Sequence, residues 1–251
     1  MTLKDFFQQN SRVALAFSGG TDSSFLLWAA REYGAEVTAY FASSPFQPQF
    51  ELNDAKKLAA ELGAKLKILE LSPLDDAAVR CNGPDRCYHC KKKIFGAIST
   101  AAHRDGYPLI IDGTNASDDE GDRPGMRALR EMGVRSPLRE CGITKPEVRS
   151  LSRKAGLFTG DKPAYACLAT RVPTGTPITS ELLEKIEKGE AALFALGFSD
   201  FRLRLRGSAA LLQLRAEDMP MALVKRRELR AALKPYFDEI HLDLAERAAS
   251  L

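Results

Sequence analysis

One stretch near the N-terminus, residues 13–24, constrains the fold more than any other part of the chain. Its apolar run from Val13 to Phe17 has the length and composition of a fully buried strand. Ser18-Gly-Gly20 ends that strand, and an apolar segment of helical character follows. The stretch therefore predicts a strand, a glycine turn and a helix whose N-terminus points several N–H groups at one spot. Such a spot suits a phosphate, and Asp22 suits a metal ion that accompanies phosphates.

Composition limits the class of protein. The chain has 251 residues, enough for one large domain or for a large and a small one. Its 45% hydrophobic and 27% charged residues are ordinary for a globular protein, and a net charge of +3 does not indicate a nucleic-acid partner. No apolar run approaches about 20 residues, the length of a membrane span, and the N-terminus lacks an apolar signal-peptide core. We expect a cytoplasmic protein whose five cysteines do not form a disulfide scaffold.

The N-terminal part alternates strands with helices, which predicts an α/β fold with a parallel sheet and helices on both faces. The predicted strands are 13–17, 36–41, 66–70 and 109–112, and the predicted helices are 22–33, 51–62 and 89–104. Ligands of such sheets bind at the carboxyl ends of the strands. Ser43 and Thr114 follow two of those ends, where each is either a nucleotide contact or a hydroxyl that caps a turn.

The C-terminal part reads as a small α+β unit. Thr144 and Glu147 form a capping box for a helix over 145–156, and residues 161–177 look like a loop or hinge. The further elements predicted are a helix from Thr179 to Ala195, strands 201–206 and 209–214, a helix 217–233 and a strand 236–242. We predict a large domain over 1–172 and a small one over 173–251.

Cys87-Tyr-His-Cys90 is the second strong signal, and Cys167 lies far along the chain in the predicted hinge. Two thiolates at this spacing are able to bind one metal ion or one cluster. A redox-active pair is one interpretation, but the aromatic-Cys-Gly-Pro context typical of such pairs is missing here. A zinc site would be completed by His89, Cys81 or Cys167. Three thiolates would instead hold a [4Fe–4S] cluster with one iron open, and the remaining alternative is cysteines packed as small hydrophobic residues.

Together these motifs make the chain resemble the LarE-type sulfur transferases of the ATP pyrophosphatase (PP-loop) superfamily. The resemblance covers nearly the whole chain and rests on residues 18–24, 85–92, 112–115, 122–126, 167–171 and 201–204. It implies an enzyme that uses ATP to adenylate a carboxylate of pyridinium-3,5-biscarboxylic acid mononucleotide, with release of pyrophosphate. Sulfur then replaces AMP to give a thiocarboxylic acid, a step in the biosynthesis of the nickel-pincer nucleotide cofactor of lactate racemase.

The resemblance also implies roles for individual residues. Cys167 and Asp22 would be catalytic. ATP and Mg²⁺ would be bound by Ser18, Gly19, Gly20, Asp22, Ser23 and Ser24. Arg202 and Arg204 match positions that line the substrate pocket, and Glu190 matches an acidic position near it. Arg123 and Arg171 are further candidates for substrate or AMP phosphates.

Each of these charged positions has a plainer interpretation. The alternating arginines of residues 201–206 also fit a solvated sheet face, although no acid lies between them to offset their repulsion. Glu190 also fits an ordinary helix surface, and Arg123 a surface ion pair with Asp122.

The cysteines depart from the better-known family members, which have a single cysteine at the position of Cys167 and give up its sulfur. Members with three cysteines resemble a cluster-binding type, in which an extra sulfide sits on the open iron. The presence of Cys87 and Cys90 therefore implies a [4Fe–4S] cluster and a catalytic, rather than sacrificial, sulfur source. The family also implies a homo-oligomer, trimer-based or hexameric.

Other functions remain open at this level. A tRNA-thiolating PP-loop enzyme shares the glycine turn and the cysteines, but would need an RNA-binding surface that a net charge of +3 does not favour. A non-catalytic zinc or iron–sulfur protein would keep only the nucleotide-binding fold. Amidating PP-loop enzymes explain none of the cysteines. The small-molecule nucleotide substrate is therefore the preferred partner, with no membrane partner expected.

Overall fold

The computed structural model describes residues 1–118 and 124–247. Its main sheet is parallel, with strand order β3-β2-β1-β4. The strands are β1 (Arg12–Phe17), β2 (Glu36–Ser43), β3 (Lys65–Glu70) and β4 (Ile110–Ile111). The α/β class predicted from the sequence is confirmed, and all four predicted strands of this sheet are present. Only β4 is much shorter than expected.

The burial of the strands follows from their place in the sheet. In β1, residues 13–15 and 17 are buried, and six of the eight residues of β2 are buried, because helices cover both faces. Strand β3 lies at the edge, and all six of its residues are exposed or half-buried. The order of the strands in the sheet therefore places the carboxyl ends of β2, β1 and β4 side by side.

The helices of the N-terminal part pack around this sheet. In the described residues they are α1 (Leu3–Gln9), α2 (Thr21–Glu32), α3 (Gln49–Glu61), α4 (Ala77–Arg80), α5 (Arg86–Arg104), α6 (Pro124–Glu131), α7 (Pro137–Glu140) and α8 (Lys145–Lys154). The capping box predicted for Thr144 and Glu147 is present at the start of α8. None of the helices in the described part of the chain is both long and apolar enough to cross a membrane.

The C-terminal part contains a second, three-stranded sheet of order β5-β6-β7. Its elements are α9 (Ser180–Ala195), β5 (Arg202–Arg206), β6 (Ala209–Gln213), α10 (Met219–Val224), α11 (Arg226–Leu233) and β7 (Ile240–Leu242). Strands β5 and β6 are antiparallel, and β6 and β7 are parallel. The Thr179 side chain caps α9 by accepting from the Leu182 N–H at 3.2 Å.

Two predictions for this part were wrong in detail. The helix predicted over 217–233 is divided at Lys225, whose backbone leaves the helical region and whose amine donates to the Leu196 carbonyl at 2.6 Å. The strand predicted over 236–242 is only three residues long. The chain is still turning before it, because the N–H groups of Tyr236 and Phe237 both donate to the Leu233 carbonyl.

The predicted hinge connects the two parts. Residues 161–177 begin at the end of a short 3-10 turn (Phe158–Asp161), contain a second one (Leu168–Arg171), and are otherwise neither helix nor strand. The apolar core of the small sheet includes Leu168 and Val172 from this loop, and Phe46 and Val79 from the N-terminal part. The loop therefore packs against residues of both parts of the chain. The domain boundary at residue 172 stays a prediction.

Candidate functional site

The turn after β1 has the form that the sequence predicts. The Ser18 and Ser23 hydroxyls lie 3.1 Å apart, and the Ser23 hydroxyl donates to the Gly20 carbonyl at 3.2 Å. Gly20 is the N-cap of α2 and supplies no side-chain cap. The first N–H groups of α2 therefore face the turn without a side-chain acceptor, which is the arrangement that binds an anion at a helix N-terminus.

Two glycines make this turn possible. Gly19 has a φ of +73°, and a Cβ there would lie 3.0 Å from the carbonyl oxygen of Glu51 on α3. Gly113, after β4, lies so close to α2 that its Cβ would be 2.8 Å from the Ser23 nitrogen. Side chains at these positions would push α3 and the β4 end away from the turn.

A cavity of about 330 Å³ opens at the strand ends beside this turn. The turn, the β4 end and the apolar face of α5 line it, including Ser18, Ser23, Thr114, Ile94 and Phe95. An apolar wall beside a polar strand end suits a nucleoside with its phosphates. Ser24 is fully buried, with a hydroxyl that has no hydrogen-bond partner among the described residues, and neither it nor Ser43 lines the cavity. ATP contacts from those two serines stay predictions.

Asp22 is held by two partners at the mouth of this cavity. Lys145, the first residue of α8, forms an ion pair with its Oδ2 at 2.5 Å, and the Asn115 amide donates to its Oδ1 at 3.3 Å. The Lys145 side chain is only 12% exposed, so its charge is directed into the site. The aspartate is thus fixed beside the turn, and a cation lies next to the place predicted for the phosphates.

A second cavity, of about 260 Å³, starts at the same turn and ends at Cys167. Ser18, Asp22 and Gln47 border both cavities. Lys145 and Lys162 line the second one, together with Tyr165. The structure therefore joins the predicted phosphate site to the predicted sulfur site through a space that carries two lysines.

The three cysteines of the sequence motif come together at this end. Cys87 and Cys90 lie one turn apart at the start of α5, and Cys167 directly precedes the turn Leu168–Arg171. Burial, followed by the nearby Cys167 and Cys87, raises the pKa of the Cys90 thiol to about 12. Burial also raises the pKa of Cys167, and Cys87 adds to that effect. The three sulfur atoms are therefore electrostatic neighbours.

Two polar side chains hold the cysteine segments against each other. Arg86 donates to the Ala169 carbonyl at 2.9 Å and approaches the Cys87 sulfur at 3.7 Å. Asn82 has a φ of +54° and is 1% exposed. Its amide donates to the carbonyls of Pro173 at 2.8 Å and Thr176 at 3.0 Å, and its oxygen accepts from Arg86. The start of α5 is thereby connected to the hinge turn and to the residues that follow it.

The thiols do not already form a site for a single metal ion. Across residues 1–118 and 124–247, no three or more His, Cys, Asp or Glu side chains are grouped so as to hold a metal ion. Cys81 is exposed and directly follows α4, and Cys141 packs beside the main core. The cysteines are all free thiols in this structure.

Arg171 and Glu190 form a buried ion pair between the hinge and α9. The Arg171 guanidinium donates to the two carboxylate oxygens at 2.8 and 3.2 Å, and the residues are each 1% exposed. Glu190 also accepts from the Tyr165 hydroxyl and from the Leu203 N–H at 3.1 Å. The pair fixes the hinge to the small sheet, and a direct contact with substrate by either residue stays a prediction.

Arg202 and Arg204 project from β5 toward the same loop. Arg202 donates to the carbonyls of Phe201 and Ala164, both at 2.7 Å, and Arg204 donates to the Thr170 carbonyl at 2.8 Å. Neither forms an ion pair with a carboxylate in the described part of the chain. Burial, then the charges of Arg171 and Arg247, lowers the pKa of Arg202 to about 10. An anion would relieve this crowding of cations. Arg123, the remaining predicted contact, lies outside the described residues.

Sequence reasoning missed several residues of the site. Lys145 and Lys162 belong to the predicted helix 145–156 and the predicted loop, and Glu51 is the first residue of another predicted helix. Arg86 lies within a quoted motif without a role of its own. Nothing in the spacing of these residues points to the glycine turn, because only the folding of distant segments brings them there.

A glycine turn at a parallel strand end, joined by a cavity to Cys167, is the arrangement expected of a PP-loop ATP-binding domain. A comparison with models of protein families found no match. Comparison with individual proteins found relatives along most of the chain. An uncharacterized protein of Synechocystis is 35% identical over 86% of this chain and 81% of its own length. Pyridinium-3,5-bisthiocarboxylic acid mononucleotide synthase of Lactiplantibacillus plantarum is 34% identical over 85% of this chain and 78% of its own length.

More distant relatives cover less. The tRNA-specific 2-thiouridylase MnmA of Pseudothermotoga lettingae is 26% identical over 60% of this chain and 54% of its own length. The chain belongs to the LarE-type family of ATP-dependent sulfur transferases within the PP-loop superfamily. The resemblance stated from the motifs is thereby confirmed.

Proposed function

We propose that this enzyme activates a carboxylate of pyridinium-3,5-biscarboxylic acid mononucleotide with ATP and replaces the AMP by sulfur, within nickel-pincer nucleotide biosynthesis. The observation that carries this proposal is the single cavity that connects Ser18 and Asp22 of the glycine turn to Cys167. The relative from Lactiplantibacillus plantarum, whose name describes the bisthiocarboxylic acid product, supports the choice of substrate.

The first half of the reaction would take place at the glycine turn. A carboxylate oxygen of the substrate attacks the α-phosphate of ATP, and pyrophosphate leaves. Ser18, Gly19, Gly20, Ser23 and the start of α2 would hold the pyrophosphate, with Lys145 and Lys162 facing it across the cavity. Asp22 would bind the Mg²⁺ that accompanies the phosphates, because Mg²⁺ is held by one or two carboxylates together with substrate phosphates.

The second half needs a sulfur source at the other end of the cavity. Sulfur attacks the activated carbonyl carbon, and AMP leaves with the electron pair of the broken C–O bond. AMP makes this step feasible, because it is a far better leaving group than hydroxide. Cys167 lines the cavity where this attack would occur.

The donor set consists of cysteines alone, which suits an iron–sulfur cluster. The three cysteine thiols influence one another electrostatically. Thiolates hold the separate irons of a [4Fe–4S] cluster. We infer that Cys87, Cys90 and Cys167 hold such a cluster, which would supply a sulfur atom for transfer. Arg86 and Asn82 would hold the cysteines of α5 close to the cysteine of the hinge loop.

The substrate phosphate would bind at Arg202 and Arg204, which have no carboxylate partner in residues 1–118 and 124–247. Arg171 and Glu190 would hold the loop that carries Cys167 against this phosphate site. Replacing Arg202 by Ala should raise the KM of the mononucleotide far more than the KM of ATP. Equal effects on both KM values would contradict this assignment.

Pyrophosphate release tests the proposed reaction. The enzyme with ATP and Mg²⁺ should release pyrophosphate only when the biscarboxylic acid mononucleotide is present, and a thiocarboxylate should follow. Release with tRNA but not with the mononucleotide would favour the thiouridylase alternative, which the MnmA relatives suggest. No substrate-dependent release at all would favour a non-catalytic metal protein.

Iron and sulfide analysis of anaerobically prepared protein tests the sulfur source. We expect about four irons and four or more sulfides per chain, since one cluster binds to the three cysteines. Protein without iron, in which turnover leaves Cys167 about 34 Da lighter by the mass of H₂S, would show a sacrificial cysteine instead.

We also propose that the enzyme works in the cytoplasm as a homo-oligomer. The five free thiols suit a reducing compartment, and the family resemblance suggests an assembly of three or six chains. Leu223 and Val224, which are 60% and 77% exposed, provide an apolar surface for such contacts. Light scattering coupled to size exclusion would give the number of chains, and a monomer would contradict the proposal.

A further inference from the structure

Glu51 is a buried carboxyl group that has no partner in the described part of the chain. It lies in the first turn of α3 and is 8% exposed. Within residues 1–118 and 124–247 its side chain makes neither an ion pair nor a hydrogen bond. Asp54, one turn further along the helix, instead holds the nearby cation Lys162 at 2.6 Å. Burying an ionisable group without a partner costs free energy, so the position demands an explanation.

The carboxyl group lines the cavity that joins the glycine turn to Cys167. The charges that act most on it are those of Lys162, Asp54 and Arg171, and it acts in turn on Tyr165. Asp22, Lys145 and Cys167 line the same cavity. Glu51 therefore lies between the glycine turn and Cys167, beside Lys162 and Tyr165.

The backbone of Glu51 is fixed by the turn itself. Its carbonyl oxygen packs against Gly19, so closely that a Cβ added to Gly19 would lie only 3.0 Å from this oxygen. The side chain consequently starts from a rigid point between the two halves of the proposed reaction. Burial raises the pKa of Glu51 to about 7, with Asp54 adding to the rise and Lys162 and Arg171 opposing it. A group with such a pKa is suited to accept a proton near neutral pH.

We propose that Glu51 accepts the proton of the sulfur nucleophile at the moment when sulfur displaces AMP. This inference rests on the proposed function. The sulfur lone pair forms the C–S bond, and the S–H proton passes to the Glu51 carboxylate, directly or through one water. The C–O bond to AMP breaks, and the AMP phosphate keeps its electron pair. The step needs no oxidant or reductant, and it is the same for a cysteine thiol and for a hydrosulfide.

Separate measurement of the two half-reactions tests this role. Sulfur-loaded enzyme, ATP, Mg²⁺ and the biscarboxylic acid mononucleotide are mixed for a single turnover, and pyrophosphate and thiocarboxylate are measured in the same samples. Glu51→Gln should release pyrophosphate within about 3-fold of wild type while thiocarboxylate formation falls about 100-fold or more, the usual contribution of a proton-transfer residue. The acyl adenylate should accumulate, and hydroxylamine should trap it.

Two further variants make the comparison specific. Glu51→Asp keeps the carboxyl group and should recover part of the thiocarboxylate rate. Glu61→Gln, an exposed acid on the same helix, should match wild type in both half-reactions. The wild-type rate of thiocarboxylate formation should rise with pH through about 7, because Glu51 must be ionised to accept the proton, and the rise should vanish in Glu51→Gln.

Several results would overturn the inference. A parallel loss of pyrophosphate release and sulfur transfer would make Glu51 part of the ATP or Mg²⁺ site. Undiminished sulfur transfer in Glu51→Gln, or an unchanged pH dependence, would remove it from the reaction. A failure of the proposed function is recognised separately, since wild-type enzyme would then release no pyrophosphate with the mononucleotide.

Discussion

Two buried glutamates, one before and one after the hinge loop in sequence, differ strongly in their hydrogen bonds. Glu190 on α9 is 1% exposed and accepts four hydrogen bonds, two of them from Arg171. Glu51 on α3 is 8% exposed and accepts none in the described part of the chain. Both side chains are buried, so the main difference between them is the number of hydrogen-bond partners.

The difference shows which acid holds the structure and which is free to react. The carboxylate of Glu190 is used completely, so it fixes the Cys167 loop to the small sheet. The carboxyl group of Glu51 faces a cavity and has its pKa raised to about 7 by burial. A buried acid with all its partners is costly to replace by itself, whereas a buried acid without partners destabilises the fold and remains available for chemistry. The same substitution at both positions should therefore have opposite effects.

The largest effect is expected for Glu190→Gln. It leaves the Arg171 guanidinium buried without a counter-charge, which should lower the free energy of unfolding by about 3 to 5 kcal/mol. Urea unfolding measures this loss. The double variant Arg171→Met with Glu190→Leu removes both charges and should regain part of it, while the Tyr165 hydroxyl and the Leu203 N–H still lose their acceptor. A loss below about 1 kcal/mol in the single variant would contradict the structural role.

Glu51→Gln should instead stabilise the protein, by about 3 kcal/mol at pH 8, because each pKa unit corresponds to about 1.4 kcal/mol. The pKa of Glu51 rises from 4.5 to about 7 on folding, so the native state of wild type binds the proton more tightly than the unfolded state. Wild-type stability is therefore lost as the pH rises through this window.

The expected gain of the Gln variant is absent at pH 4, grows between about pH 4.5 and 7, and is constant above. Unfolding curves of both proteins across this range measure it. A gain that does not depend on pH would mean that the Glu51 carboxyl is not the cause.

A smaller effect is expected for Gly19→Ala, which tests the contact that fixes Glu51. A left-handed backbone costs about 1 to 2 kcal/mol for a residue with a Cβ, and the Glu51 carbonyl would be only 3.0 Å away. Gly34→Ala is the matched control, because Gly34 has a φ of +80° but no atom within 4 Å of its Cβ position. Gly19→Ala should lose more stability than the control and should also weaken ATP binding, measured by calorimetry. Equal stability losses and unchanged ATP affinity would contradict the close packing.

The smallest effect is expected for Glu61→Gln on α3. Its ion pair with Lys57 has a 3.9 Å separation and half-exposed side chains, so the free energy of unfolding should change by no more than about 0.5 kcal/mol. The change should show no dependence on pH near 7. A larger change in the free energy of unfolding would mean that any acid on α3 affects stability in this way, so that burial would not explain the effect of Glu51.

Much of the fold follows from local sequence patterns. The buried run before Ser18 predicts β1, and the capping boxes and helix caps at Thr144 and Thr179 predict the starts of α8 and α9, because these signals act within a few residues. The division of the helix predicted over 217–233 could not be seen, since it depends on a hydrogen bond from Lys225 to Leu196 in another helix.

The candidate site divides along the same line. The glycine turn and the three cysteines were recognised from sequence, because each is a short motif with its own chemistry. Glu51, Lys145 and Lys162 have no such motif around them. Their roles follow from burial and from nearby charges that are distant in sequence, and both arise only when the chain has folded.

The sequence by itself predicted a phosphate site at a glycine turn and a set of thiols, and it indicated the family to which the chain belongs. The tertiary structure alone decided that the turn and Cys167 share one cavity and that Arg171 and Glu190 neutralise each other. It also decided that Glu51 lies in that cavity with no ion pair or hydrogen bond from residues 1–118 or 124–247. The physical reason is the range of the interactions. Turn geometry and helix caps are set by neighbours in sequence, whereas desolvation and charge pairing are set by neighbours in space.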